Sequence, residues 1–148
     1  KKDIYDIILK DKKIFKRSAL MLTASPIQDK SIQEELCKLC GVEFKPNSFS
    51  YSQKENDEII ALSQFDITSD GGVIYDLQMK KGLEDDIEAL FILGRAVLNF
   101  LDLTNNKKCF FAVKNEHDIK MAKMLGFKET EQIWSLNLEG ILDGKCHK

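Results

Sequence analysis

The sequence predicts an α/β fold on a mixed sheet, an antiparallel meander followed by a parallel strand–helix–strand unit, with helices on both faces. Three observations carry this. Residues 49–79 show strand-like alternation, interrupted by two clusters of turn residues, Glu55-Asn56-Asp57-Glu58 and Ser69-Asp70-Gly71-Gly72. That pattern reads as a three-stranded antiparallel meander. A helical period then runs from about 85 to 103, and an apolar strand, 109–113, follows it. A strand–helix–strand succession implies a parallel pair with a right-handed crossover.

Taken in order, residues 3–22 place Ile4, Ile7, Ile8, Ile14, Phe15 and Leu22 at a roughly helical period, with a break near Asp11. The run 19–24 also reads as a short buried strand, because periodicity does not separate short apolar strands from helices. Residues 26–39 form a clearer helix, with Ile32, Leu36 and Leu39 as its apolar face and Gly41 as its stop. The strands 49–51, 59–68 and 73–79 make the meander. A short amphipathic helix, 116–125, precedes a last strand at 133–138. The only two prolines, Pro26 and Pro46, fall at element boundaries. No repeat or linker divides the 148 residues, so they are read as one domain, 1–148, large enough to bury a core without staples.

Charge and composition narrow the function. The apolar share of 43% and charged share of 31% are those of a soluble globular protein. A net charge of −2 leaves no electrostatic footprint for nucleic acid. The one basic stretch, 10–17, is interleaved with Ile14 and Phe15 and reads as the solvated face of a helix. No apolar run is long enough to span a membrane, and Lys1-Lys2-Asp3 is too charged for a signal peptide. The expected location is therefore the reducing cytoplasm, with the four cysteines as thiols. Cys37-Lys38-Leu39-Cys40 invites a redox or zinc reading, but the pair lies at a helix C-terminus, where the dipole disfavours thiolate. Zinc needs four ligands, and only Cys146-His147 offers a second close pair. No metal is expected.

The segment Asn115-Glu-His-Asp-Ile-Lys-Met-Ala-Lys-Met-Leu-Gly126-Phe127 is the most specific in the chain. An Asn after a strand, a short amphipathic helix, and Leu-Gly-Phe opening the next strand resemble the closing segment of the GNAT superfamily of N-acetyltransferases. The order of meander, strand, long helix and strand resembles that fold over roughly 49–138, whereas residues 1–24 match it only loosely. The resemblance implies acetyl-CoA as co-substrate, lying in a V-shaped opening between strands 73–79 and 109–113. Its pantetheine arm would pair with the backbone at Leu77, Gln78 and Met79 like an added strand. Its pyrophosphate would sit on free N–H groups at the start of the following helix. Asn115 would contact the arm, a role its position shares equally with capping the helix at Glu116.

The pyrophosphate loop of the family, Gln/Arg-x-x-Gly-x-Gly/Ala, can be placed two ways. Matching the glycine puts it on residues 89–94, with Leu93, Gly94 and Arg95 as the cofactor residues. Matching helix length puts it on residues 85–90, where Asp85 and Glu88 replace the basic residue and the glycine. Local physics favours an early helix start, with Asp85 as N-cap and Glu88 three residues on. Gly94 then sits well inside the helix as a close-packing site. A helix terminus contributes about 0.3–1 kcal/mol to an anion. One carboxylate ~4 Å from a phosphate charge costs about 1 kcal/mol in water and about 4 at intermediate dielectric. The acids at 84–88 are therefore set against the dipole, with Lys80 and Lys81 on the other side of the balance.

The tyrosine that protonates the departing thiolate in many family members falls here on Ala122. Tyr75 is the nearest substitute. Asp76, alternating with Val73, Tyr75, Leu77 and Met79 and so on the opposite strand face, is the first candidate general base, followed by Glu84. Two functions remain open. One is an acyl-CoA-dependent N-acyltransferase acting on a small-molecule or peptide primary amine. The other is a non-catalytic module that keeps the fold without binding CoA. The oligomeric state is open, a homodimer included.

Overall fold

The computed structural model describes residues 22–139; the N-terminal helical reading of residues 3–22 lies almost wholly outside them, and so does Cys146. Seven strands form one mixed sheet in the order β1-β2-β3-β4-β5-β7-β6. The chain runs β1 (Leu22–Pro26), α1 (Lys30–Cys40), β2 (Phe49–Glu55), β3 (Glu58–Thr68), β4 (Gly71–Met79), α2 (Ile87–Leu103), β5 (Lys108–Phe111), α3 (Glu116–Leu125), β6 (Lys128–Thr130) and β7 (Ile133–Asn137). This is the α/β mixed sheet expected, with antiparallel β1 to β4 and a parallel β4–β5 pair.

The meander forms where its turn residues place it. Asn56 and Asp57 both take positive φ, 52° and 71°, as a two-residue hairpin turn matched to strand twist requires. Helix α1 starts on Asp29, whose carboxylate accepts from the Ser31 N–H at 2.9 Å, and it ends on Gly41 at φ 73°. Its buried face differs from the one expected. Ile32 and Leu39 are 44% and 42% exposed, and the helix instead buries Gln33, Leu36, Cys37 and Cys40. The rotation brings Gln33 to the sheet, where it donates to the Gln64 Oε1 at 2.8 Å.

Strict alternation also fails in β4. Gln64 pairs with Asp76 but Phe65 pairs with Ile74, leaving Tyr75 as the extra residue of a β-bulge. The bulge resets the strand's parity. Ile74, Leu77 and Met79 all join the main core, while Asp76 turns to the α1 side, where Gln64 and Lys45 meet it. The expectation that Asp76 opposes Leu77 and Met79 holds; that Val73 and Tyr75 share their face does not.

The main core lies between the sheet and helices α2 and α3, and a smaller cluster of Leu36, Cys37, Cys40 and Leu62 lies under α1. One strand relation departs from expectation. Strand β7 does not run parallel to β5 across α3; the chain first makes β6 at the edge, turns at Glu131–Gln132 with positive φ, and returns antiparallel between β6 and β5.

The three described cysteines are buried and unpaired. Burial pushes the thiols of Cys37, Cys40 and Cys109 up from 9.0 to about 11, about 12 and about 12. Raised values in the folded state mean that their contribution to stability is complete below pH 9 and is lost as pH rises toward 11–12. Alkylation with iodoacetamide at neutral pH is expected to leave all three unmodified until denaturant is added. Fast labelling of any of them in the native protein would contradict this packing.

Candidate active site between β4 and β5

The site is built where β4 and β5 part. Their ladder has three pairs, Gly72–Cys109, Val73–Phe110 and Ile74–Phe111, and closes with the Ala112 N–H on the Ile74 carbonyl at 2.9 Å. Beyond it β4 continues through Tyr75 to Met79, while β5 has ended. On its other edge β4 stays paired with β3 as far as Met79, but on the β5 side no described strand pairs with it along that stretch, so the two strands part there as the arms of a V. Leu77 and Met79 point into the core and Gln78 is half-buried; what these three expected cofactor residues offer is a backbone edge.

A charged cluster stands at the mouth. Asp76 is 2% exposed, its Oδ2 accepting from the Lys45 Nζ at 2.8 Å and the Gln64 Nε2 at 2.7 Å. Its Oδ1 faces the Lys114 Nζ at 3.4 Å. Lys114 also donates to the Tyr75 carbonyl oxygen and lies 3.5 Å from Asp118. Gln64 is saturated: its Oε1 accepts from Gln33 and the Lys45 N–H, and its Nε2 donates to the Glu43 carbonyl and Asp76. A buried carboxylate of this kind is stable because both of its oxygens face a cation and one also accepts from an amide. To act as a base, Asp76 would take the proton on Oδ1, the oxygen that faces only Lys114.

Tyr75 sits on the bulge beside Asp66 and Lys45, whose Nζ lies 5.7 Å from the ring centroid. Burial first, and then the charge and hydrogen bond of Asp66, push its phenol above the ordinary tyrosine value. The phenol therefore stays neutral to higher pH than an ordinary tyrosine. Glu84 is exposed on the loop before α2, with Oε1 accepting the Gly82 N–H at 2.8 Å. Beside the end of β5 an open groove of about 470 Å³ is lined by Val73, Phe110, Ala112, Val113 and Ile133 among others.

The helix start answers part of the loop question. The N-cap is Asp86, one residue later than expected, with Oδ1 accepting the Ala89 N–H at 3.2 Å. The Ile87 N–H bonds the Asp85 carbonyl at 2.9 Å. Leu93 and Gly94 lie in the second turn, fully buried. A Cβ on Gly94 would stand 2.8 Å from the Leu125 Cδ1 and 3.3 Å from the Leu77 Cδ2, so the glycine lets α2 approach α3 and the sheet. Leu93 and Gly94 are thereby removed from any ligand at the helix terminus, and Arg95 follows one residue further in. Asn115 caps α3, its Oδ1 accepting the Asp118 N–H at 2.9 Å. Ala122 is buried in the core. Among the described residues no three potential metal ligands come together, and no helix is long and apolar enough to cross a membrane.

Three participants escaped the sequence reading: Lys45, Gln64 and Lys114. Lys114 directly precedes the motif asparagine, and a buried Gln at mid-strand is uncommon, but neither signal names its partner.

No family model matches the chain, and no curated protein sequence does. Solved structures do. The ribosomal-protein-S18-alanine N-acetyltransferase from Escherichia coli superposes with a TM-score of 0.64 at 13% identity, covering 80% of this chain and 94% of its own. An acetyltransferase of the GNAT family from Desulfovibrio desulfuricans gives 0.62 at 11% identity, over 79% and 99%. This chain has the GNAT fold. An Escherichia coli N-acetyl transferase bound to coenzyme A gives 0.58 at 13% identity, over 78% and 98%. Likeness at such identities concerns the GNAT fold, which on this chain sets the V between β4 and β5 beside a long helix.

Proposed function

We propose that this GNAT-fold chain is an acyl-CoA-dependent N-acyltransferase acting on a primary amine, either a small molecule or a peptide. The carrying observation is the backbone edge of β4 beyond Ile74, left without a strand partner by the end of β5. An extended amide-bearing arm can add there as a strand does. The coenzyme A held by a solved structure of the same fold supports this reading. Tyr75, a neutral phenol on the bulge, would return a proton to the leaving thiolate, and the incoming amine would be brought beside the thioester by position rather than by a strong base.

A second reading is favoured by one observation. The carboxylate of Asp86 and the carbonyl of Asp85 already hold N–H groups at the start of α2, where the pyrophosphate would dock. On that reading the chain is a non-catalytic binding module.

Titration calorimetry with acetyl-CoA, against dephospho-CoA, separates the two. Binding in the micromolar range is expected for the enzyme. Replacing Asp85 and Asp86 by Asn keeps the cap and removes two charges. If pyrophosphate docks there, each replacement relieves about 1 kcal/mol, roughly a fivefold gain in affinity. No heat at millimolar ligand in either protein leaves only the module.

A further inference from the structure

Lys114 holds an amine at the point where β4 and β5 separate. Its Nζ donates to the Tyr75 carbonyl, the first β4 acceptor beyond the last strand pair, Ile74–Phe111. Both ends of the residue are anchored: Asp118 accepts its main-chain N–H at 3.0 Å and lies 3.5 Å from its ammonium. The side chain is 51% exposed, so a reagent from solvent reaches it. A thioester laid along the free β4 edge meets this amine.

We propose that Lys114 is itself an acyl acceptor, taking the acyl group from a thioester bound in the opening. The inference rests on the acyl-CoA reading above. In the step, the Lys114 ammonium first gives one proton to the Asp76 carboxylate, 3.4 Å away, which passes it to solvent. The amine so formed attacks the thioester carbonyl carbon, a C–N bond forms, the C–S bond breaks, and the second nitrogen proton goes to the departing CoA thiolate. The product is a neutral amide. Asp76 keeps Lys45 and Gln64 as partners after acylation, and Asp118 keeps the hydrogen bond from the Lys114 main-chain N–H while it loses the Lys114 ammonium. The bridge across the mouth is then gone, and the Tyr75 carbonyl loses its ammonium donor.

The experiment incubates the full chain with acetyl-CoA and follows acetylation of each lysine by mass spectrometry of digests, with calorimetry of acetyl-CoA in parallel. Lys114 is expected to be labelled about 100-fold faster than exposed lysines such as Lys38 and Lys123, as an amine held beside the thioester should be. Lys114→Arg keeps the charge and the bridge but removes the acceptor, and should abolish the fast phase with no other site replacing it. Asp76→Asn should slow labelling; if that variant fails to fold, the Arg variant still decides. Equal rates at all lysines, or an unlabelled Lys114 in a chain that binds acetyl-CoA, overturns the inference and leaves the acyl-CoA reading standing. Absence of both binding and label overturns both.

Discussion

Gly71→Ala is expected to lower the unfolding free energy by about 3 kcal/mol, the sum of backbone strain and a clash that nothing nearby can relieve. Gly71 opens β4 at φ 132°, and a Cβ there would collide with the backbone carbonyl oxygen of Lys108. The obstacle is backbone at the first residue of β5, so it cannot swing aside as a side chain would. The two strands whose separation makes the V must therefore move apart at their paired end. Gly82→Ala is the matched control. Gly82 also has positive φ, 96°, but a Cβ there meets nothing within 4 Å. That substitution should cost only the conformational part, about 1–2 kcal/mol. Urea unfolding of both variants measures the difference. Equal losses would mean that the Lys108 carbonyl does not press on Gly71, and that the strand junction is looser than described.

Asp76→Ala has a comparable effect by a different route. It leaves the Gln64 Nε2 and the Lys45 ammonium with only the Glu43 carbonyl as acceptor and removes the carboxylate they share at a position 2% exposed. Breaking a buried pair from one side costs about 3–5 kcal/mol. Lys45 and Lys114 keep side-chain exposures of 29% and 51%, and solvent repays part of that, so about 3 kcal/mol is expected. Asp76→Asn retains a hydrogen-bond acceptor for Gln64 and should cost less. The ordering Ala greater than Asn, read from urea midpoints, is the check. A loss under about 1 kcal/mol for Ala would show an exposed, screened pair and would remove the case for a fixed carboxylate at the mouth of the opening.

Much of the scaffold was legible because its signals are local. The Asn56-Asp57 turn, the Gly41 stop and the Asn115 cap each depend on residues within a few positions, and each forms as read. The parallel β4–β5 pair followed from the helix that connects the two strands. The site was less legible. Asp76 and Tyr75 were singled out, and they lie at the V, but their roles depend on the bulge at Tyr75 and on Lys45, which is 31 residues from Asp76 in sequence. Nothing local foretells that pairing. The rotation of α1 has the same origin: Ile32 and Leu39 fit the helical period, yet Gln33 is buried because Gln64 waits for it across 31 residues.

The sequence by itself determined the meander and the helices around it, the Asn56-Asp57 turn, the Gly41 and Asn115 caps, and the α/β class, since these follow from periodicity and from backbone groups satisfied nearby. Only the tertiary structure decided that Gly94 packs against Leu125 and Leu77, that Asp86 is the residue that caps α2, and that Lys114 spans the opening. Those are matters of which distant groups meet, and a buried polar group takes whichever partner the packed chain brings within reach.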